Sequence, residues 1–246
     1  FKQKTAYEIR LSLVGSEMCI RDSISGNVTD AALSIFKKEF ESVPTKNSGF
    51  YNTTPPPQPD SEKKQVLEVS NVVQSAIKLA RPLFSKKHPD FIPLQVLNTI
   101  FGGYFGSRLM TNIREDKGYT YGIGSGLVAL GTSGIWSIGS EVGVEVSKAT
   151  LKEIYFEMQQ LRDEPVSQEE LDTVKSYMLG SFLKDIDGPF ALAEKYISLL
   201  KYDLDYSYYQ RWIKTVKNIT PAEIQALANT YLKEEDFYEL VVGKLE

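Results

Sequence analysis

Arg114 and Tyr121 are the two residues of this sequence best placed to do chemistry together. They belong to one dense stretch, Ser107-Arg108-Leu109-x-x-x-Ile113-Arg114-Glu115-x-x-Gly118-x-x-Tyr121. Gly118 predicts a helix C-terminus that reverses straight into a strand, because glycine adopts the left-handed conformation such an ending needs. Arg114 then falls in the last helical turn and Tyr121 two residues into the strand, so a guanidinium and a phenol can face one cleft. Both are donors suited to a carbonyl oxygen or a developing oxyanion. The same spacing also has a structural reading. In that reading Arg114 interacts with the helix C-terminus and Tyr121 is a half-buried strand residue. The residues by themselves leave both open.

Other chemistries are opposed by what the sequence lacks. It holds one histidine, His88, and one cysteine, Cys19, in 246 residues. A zinc site needs several Cys and His, or two to three His with a carboxylate, so no metal site is expected. His88 lies in Lys87-His88-Pro89-Asp90 and is expected at a helix start, not in a catalytic triad. Cys19 permits no internal disulfide. A net charge of −4 argues against nucleic acid as partner, since phosphate contacts need a basic face. No apolar run approaches the eighteen or so residues of a membrane span. Gly102-Gly103-x-x-Gly106 lacks the Lys-Ser/Thr of a phosphate loop and does not follow a strand, so nucleotide is not expected there. Gly122, Gly124 and Gly126 alternate along a strand and clear one of its faces. A helix packed tightly on that face is the expected occupant.

The elements that must position these residues are legible from Ile24 onward. Ser25-Gly26-Asn27-Val28 reads as a strand end, and Thr29 as the cap of a helix with Ala32, Leu33, Phe36 and Phe40 on its apolar side. Residues 44–61, with five prolines, read as an extended connector. Gln65 to Leu83 supplies two strands around a Ser70-Asn71 turn. Asp90 caps the next helix, with Pro93 in its first turn and Leu94, Leu97, Ile100 and Phe101 on the buried side. A second helix, from Phe105 to Lys117, carries Phe105, Leu109 and Ile113 on one stripe. Strands follow at Tyr119 to Leu127 and Ile135 to Ser140, then helices introduced by Ser167-x-x-Glu170 and Thr220-x-x-Glu223, and Phe237 to Val242 closes the sheet. The expected fold is α+β: a single domain over residues 24–246, with a mixed or antiparallel sheet of about six strands covered mainly on one face by helices. Residues 1–23 lack periodicity. Leu11 to Ser23 (LSLVGSEMCIRDS) resembles translated adapter sequence, so this lead-in is expected to be non-native.

The run from Val96 to Gly126 (VLNTIFGGYFGSRLMTNIREDKGYTYGIGSG) resembles the second-half signature of the pitrilysin/insulinase family of zinc metallopeptidases. That signature is a glycine pair, Ser-Arg-Leu, then Arg-Glu-x-x-Gly-x-x-Tyr. Ile24 to Val28, Glu164 to Leu183, Ile219 to Leu232 and the final Val-Val-Gly are also similar to family segments. The resemblance implies a clamshell of two similar halves, in one chain or two. The first half carries His-x-x-Glu-His and a distal Glu, its central Glu serving as general base toward a zinc-bound water. The second half supplies an Arg/Tyr pair for peptide binding and transition-state stabilisation, which by position is Arg114 and Tyr121. The segment matching the motif helix, DFIPLQVLNTIF from Asp90 to Phe101, has neither His nor Glu.

The resemblance therefore implies the non-zinc half. It binds no metal itself, zinc is expected in a partner half joined in cis or in trans, and a peptide is the substrate. The chain alone is expected to be inactive, and a homodimer is one assembly open to it when isolated. Two rival functions stand beside this one: a non-proteolytic scaffold of the same fold, and a stand-alone peptide-binding module that adds a strand to a sheet edge. Bacterial periplasm and cytoplasm both suit the sequence.

Overall fold

Gln74–Phe84 alternates small or polar side chains with large apolar ones, the pattern of a strand with one face buried. The computed structural model describes residues 24–41 and 61–246, and in it this segment is the centre of a mixed sheet. Five strands form that sheet among the described residues: β1 (Lys64–Glu68), β2 (Gln74–Phe84), β3 (Ile123–Leu130), β4 (Ser133–Gly143) and β5 (Tyr238–Gly243). Their spatial order is β1-β5-β2-β4-β3. β1 runs parallel to β5, and every other pair is antiparallel. The closing strand thus inserts between β1 and β2, which are neighbours in sequence but not in the sheet.

Seven α-helices are described: α1 (Asp30–Phe40), α2 (Phe91–Asn98), α3 (Ser147–Asp163), α4 (Gln168–Lys184), α5 (Pro189–Leu200), α6 (Ser207–Asn218) and α7 (Pro221–Tyr231). One face of the sheet presents Ile77, Leu79, Trp136, Ile138 and Val241 to a single core that includes Leu94, Phe101, Ile154 and Val216 from the helices. Trp136 stands edge-on to both Phe101 and Phe237, each with ring centroids 6.3 Å apart. Burying each such side chain contributes about 1.5–3 kcal/mol, which makes this the layer that fixes the fold. The expected α+β domain with helices on one face is what the chain forms.

Local signals explain where the helices begin and end. Thr220 and Glu223 form a complete reciprocal capping box ahead of α7, with Pro221 at its first position. Ser167 caps α4 through the Glu170 N–H, but the box is not reciprocal there. The Glu170 carboxylate is instead gripped by Arg108, with both oxygens 2.8 Å from guanidinium nitrogens. His88 sits before α2 as expected. Its ring stacks on Phe84, and its Nδ1 accepts from the Asp90 N–H at 3.2 Å.

Five expectations need correction. Ser25 to Val28 is not a strand end, and the sheet has five strands, not six, among the described residues. α1 forms behind its Thr29 cap, yet it buries no residue, and Phe40 is half exposed. The second helix does not begin at Phe105: the regular turns start at Arg108, and Phe105 is mostly exposed. Tyr121 precedes β3 instead of lying within it. The expected lead-in (residues 1–23) and most of the connector fall outside the described residues.

Candidate functional site

The face of the sheet that no helix covers among the described residues is built from the residues that alternate with the core. Ala76 and Lys78 of β2, Gly124 and Gly126 of β3, and Ser137 and Gly139 of β4 lie side by side in register. They floor a cleft of about 1190 Å³ whose rim includes Arg114, Thr120 and Tyr121. The expectation that a helix fills the face cleared by Gly122, Gly124 and Gly126 is therefore corrected. A side chain at Gly122 or Gly126 would meet nothing within 4 Å, and one at Gly124 only the Gly102 carbonyl at 3.4 Å. The tight approach occurs on the opposite side of the strand, where a Cβ on Gly102 would lie 2.7 Å from Ser125 Oγ.

Arg114 is carried by a widened helical turn. Met110–Asp116 is π-helical, ending with the Lys117 N–H donating to the Asn112 carbonyl at 3.1 Å. Such turns are frequent at functional sites. Gly118 then takes a φ of 65°, as expected for a left-handed C-terminal residue. The Tyr119 N–H donates back to the Ile113 carbonyl at 3.0 Å, which fixes the reversal.

The chain after Gly118 is pinned from two sides. The Arg114 Nε–H donates to the Tyr121 carbonyl at 3.0 Å, and the guanidinium lies 4.7 Å from the centre of the Phe105 ring. On the other side the Thr120 hydroxyl donates to the Glu141 carbonyl at 2.7 Å and accepts from the Gly122 N–H at 3.1 Å. The Ser140 hydroxyl, 3.0 Å from both Thr120 Oγ1 and the Gly122 carbonyl, bonds across to the same loop. The Tyr121 side chain is held by none of this and is 98% exposed. Arg114 and Tyr121 are thus brought to one cleft as expected, but through the tyrosine's backbone, not its phenol. Thr120, Ser140 and Phe105 were not singled out as site residues. The spacing puts Phe105 on a buried stripe, because apolar spacing cannot distinguish a ring facing the core from one facing a cation.

The residues present do not fit a zinc ion. No group of three or more His, Cys, Asp or Glu side chains capable of holding a metal occurs among the described residues. Nor is any described helix long and apolar enough to cross a membrane.

The family model described as the peptidase M16 inactive domain matches residues 23–178. The chain belongs to that family, the non-zinc half of pitrilysin/insulinase-type proteins. It is 25% identical over 166 residues to the uncharacterized zinc protease YmxG of Bacillus subtilis, covering 68% of this chain and 40% of that protein. It superposes on a peptidase M16 inactive domain from Pseudomonas fluorescens with a TM-score of 0.69 and 25% identity, over 75% of this chain and 44% of the other. A protease from Helicobacter pylori shares the fold, with a TM-score of 0.75 at 18% identity over 89% of this chain and 54% of that one. The chain thus spans 40% to 54% of the length of these relatives.

Proposed function

We propose that this chain is the substrate-binding half of a two-part zinc metallopeptidase, holding a peptide along the open sheet face while a partner half, in cis or in trans, carries the zinc. One observation supports this best: at the cleft rim the Tyr121 backbone is anchored by Arg114 and the adjoining loop by Thr120, while the Tyr121 ring projects with no hydrogen bond or ring contact among the described residues. An aromatic side chain on a fixed backbone is pre-organised for a contact supplied from outside.

In this reading Arg114 and Tyr121 divide the work. Attack on the scissile carbonyl concentrates negative charge on its oxygen, and the Tyr121 hydroxyl donates to that oxygen more strongly as the charge grows. Arg114, already oriented by the Tyr121 carbonyl and the Phe105 ring, presents its remaining N–H groups to a peptide carbonyl before and during reaction.

The test is steady-state kinetics in an enzyme reconstituted with a zinc-bearing half. Tyr121→Phe is expected to lower turnover on the order of a hundredfold, about 3 kcal/mol, without moving the melting temperature. Arg114→Ala should act mainly by raising KM. Full turnover in Tyr121→Phe would sink the site assignment. The isolated chain should hold no stoichiometric zinc, and metal analysis finding about one tightly bound ion per chain would refute the half-enzyme reading.

A further inference from the structure

A second, smaller cavity of about 270 Å³ opens among the helices and shares no lining residue with the cleft. Its walls are aromatic. Phe182 of α4 and Trp212 of α6 stack with centroids 5.0 Å apart, the nearly buried Tyr208 ring stands beside them, and Ser181, Asp185 and Ser198 add polar lining.

Two lysines reach this cavity, and they are not equivalent. Lys195 is paired with Asp185 at 2.8 Å. Lys86 has its Nζ 4.8 Å from the Tyr208 ring centre and 5.7 Å from that of Tyr202, and no carboxylate among the described residues pairs with it. The neighbouring Lys87 turns outward and takes the surface carboxylate of Asp203 at 3.0 Å. Lys86 turns inward instead. Burial, with Lys195 repelling it, holds its ammonium below the usual lysine range. A partly desolvated cation without an anion is a binding site for one.

Gln95 supplies a second donor. The Trp212 indole N–H can only donate, and it lies 2.9 Å from Gln95 Oε1. The amide oxygen must therefore face the indole, which leaves the Gln95 NH2 group with no acceptor among the described residues. An ammonium and an amide N–H beside flat apolar walls match a carboxylate carried on a planar body. The volume lies just below the range of drug-sized sites, so it suits an acid of about one ring.

We propose that this cavity binds a small organic carboxylate with a flat apolar body, its carboxylate meeting Lys86 and the Gln95 amide and its body lying against Phe182, Tyr208 and Trp212. The proposal is independent of the peptidase reading, and its test needs no zinc half. Benzoate, its neutral isostere benzamide and inorganic phosphate are titrated into the full chain by calorimetry, with tryptophan fluorescence in parallel. Trp212 lines the cavity whereas the other tryptophan, Trp136, is sealed in the core, so a fluorescence response reports on this site.

Benzoate should bind saturably at one per chain and perturb the emission. Benzamide, and benzoate with Lys86→Met, should bind about tenfold more weakly, the loss expected for one charge-assisted hydrogen bond. Lys86→Arg should recover most of the affinity. No saturable benzoate binding, or equal binding of benzamide, overturns the proposal; both comparisons use the unmutated chain and do not depend on any variant folding. Phosphate binding as tightly as benzoate would overturn the part assigned to the aromatic walls.

Discussion

The two faces of the sheet are drawn from alternate residues of the same strands, and they have opposite characters. On β2, Ile77 and Leu79 are sealed at 2% and 0% exposure, while Ala76 and Lys78 beside them are open to solvent. On β4, Trp136 and Ile138 are buried, while Ser137 and Gly139 floor the cleft. The covered face carries large side chains locked against helices, which sets the fold and its stability. Around Gly124, Gly126, Ser137 and Gly139 the open face carries little beyond Cβ, with the longer Lys78 beside them, which leaves room there for another chain to approach the backbone closely. Stability and recognition are thus separated by the two-residue period of the strand, and each face can change without the other.

That separation can be broken most directly at adjacent residues of β4. Ile138→Ala is expected to cost about 3 kcal/mol, the transfer loss plus a cavity in a packed core. Ser137→Ala, one residue away on the open face, should stay within about 0.5 kcal/mol. Urea unfolding of both variants decides the matter, since comparable losses would mean that the open face is also structural.

Gly102 sharpens the contrast. Gly102→Ala should destabilise by about 2 kcal/mol, because its new Cβ would lie 2.8 Å from Leu109 Cδ1 and 2.9 Å from the Ser125 backbone nitrogen. The backbone nitrogen cannot yield as a flexible side chain could. A melt of Gly102→Ala indistinguishable from the wild type would show that this approach is looser than described.

Much of the covered layer was legible in the sequence, because it rests on local pattern. Leu94, Leu97, Ile100 and Phe101 read as one helical face and are all buried to 1% or less. Gly118 read as a left-handed helix end and adopts one. Thr220 and Glu223 read as a capping box and form it. What escaped is long-range or depends on a partner. The insertion of β5 between β1 and β2 joins residues some 170 apart along the chain, and no local window records it. The widened turns at Thr99–Gly103 and Met110–Asp116 carry no distinct residue signature. α1 reads as amphipathic but buries no residue, with Leu33, Ile35 and Phe40 exposed, since periodicity states which face is apolar and not whether anything covers it. The site pair was legible only as spacing. That the contact would run from the Arg114 guanidinium to the Tyr121 carbonyl, leaving the phenol free, depends on the loop pinned by Thr120 and Ser140.

The smallest expected effect on stability is also the most pointed test of the open face. Gly126 has no left-handed φ, and a Cβ built there meets nothing within 4 Å, so its backbone accepts an L side chain without strain. Valine is a favoured strand residue, and Gly126→Val should therefore leave unfolding free energy within about 0.5 kcal/mol of the wild type, if anything on the stable side. Yet its two methyl groups would stand on the cleft floor, between the strand backbone and any peptide laid along it. In an enzyme reconstituted with a zinc half, KM should rise about tenfold while turnover at saturation changes little, because the obstruction acts on the bound peptide before and during reaction alike. This outcome separates the open face from the Arg114/Tyr121 pair on its rim: the floor governs binding, and Tyr121 governs turnover. An unchanged KM with an unchanged melt would mean that the peptide does not run across Gly126 and that the cleft floor is vacant for some other reason. A melt lowered by several degrees would mean instead that something within the chain already covers it, and the division between the two faces would fail at its clearest point.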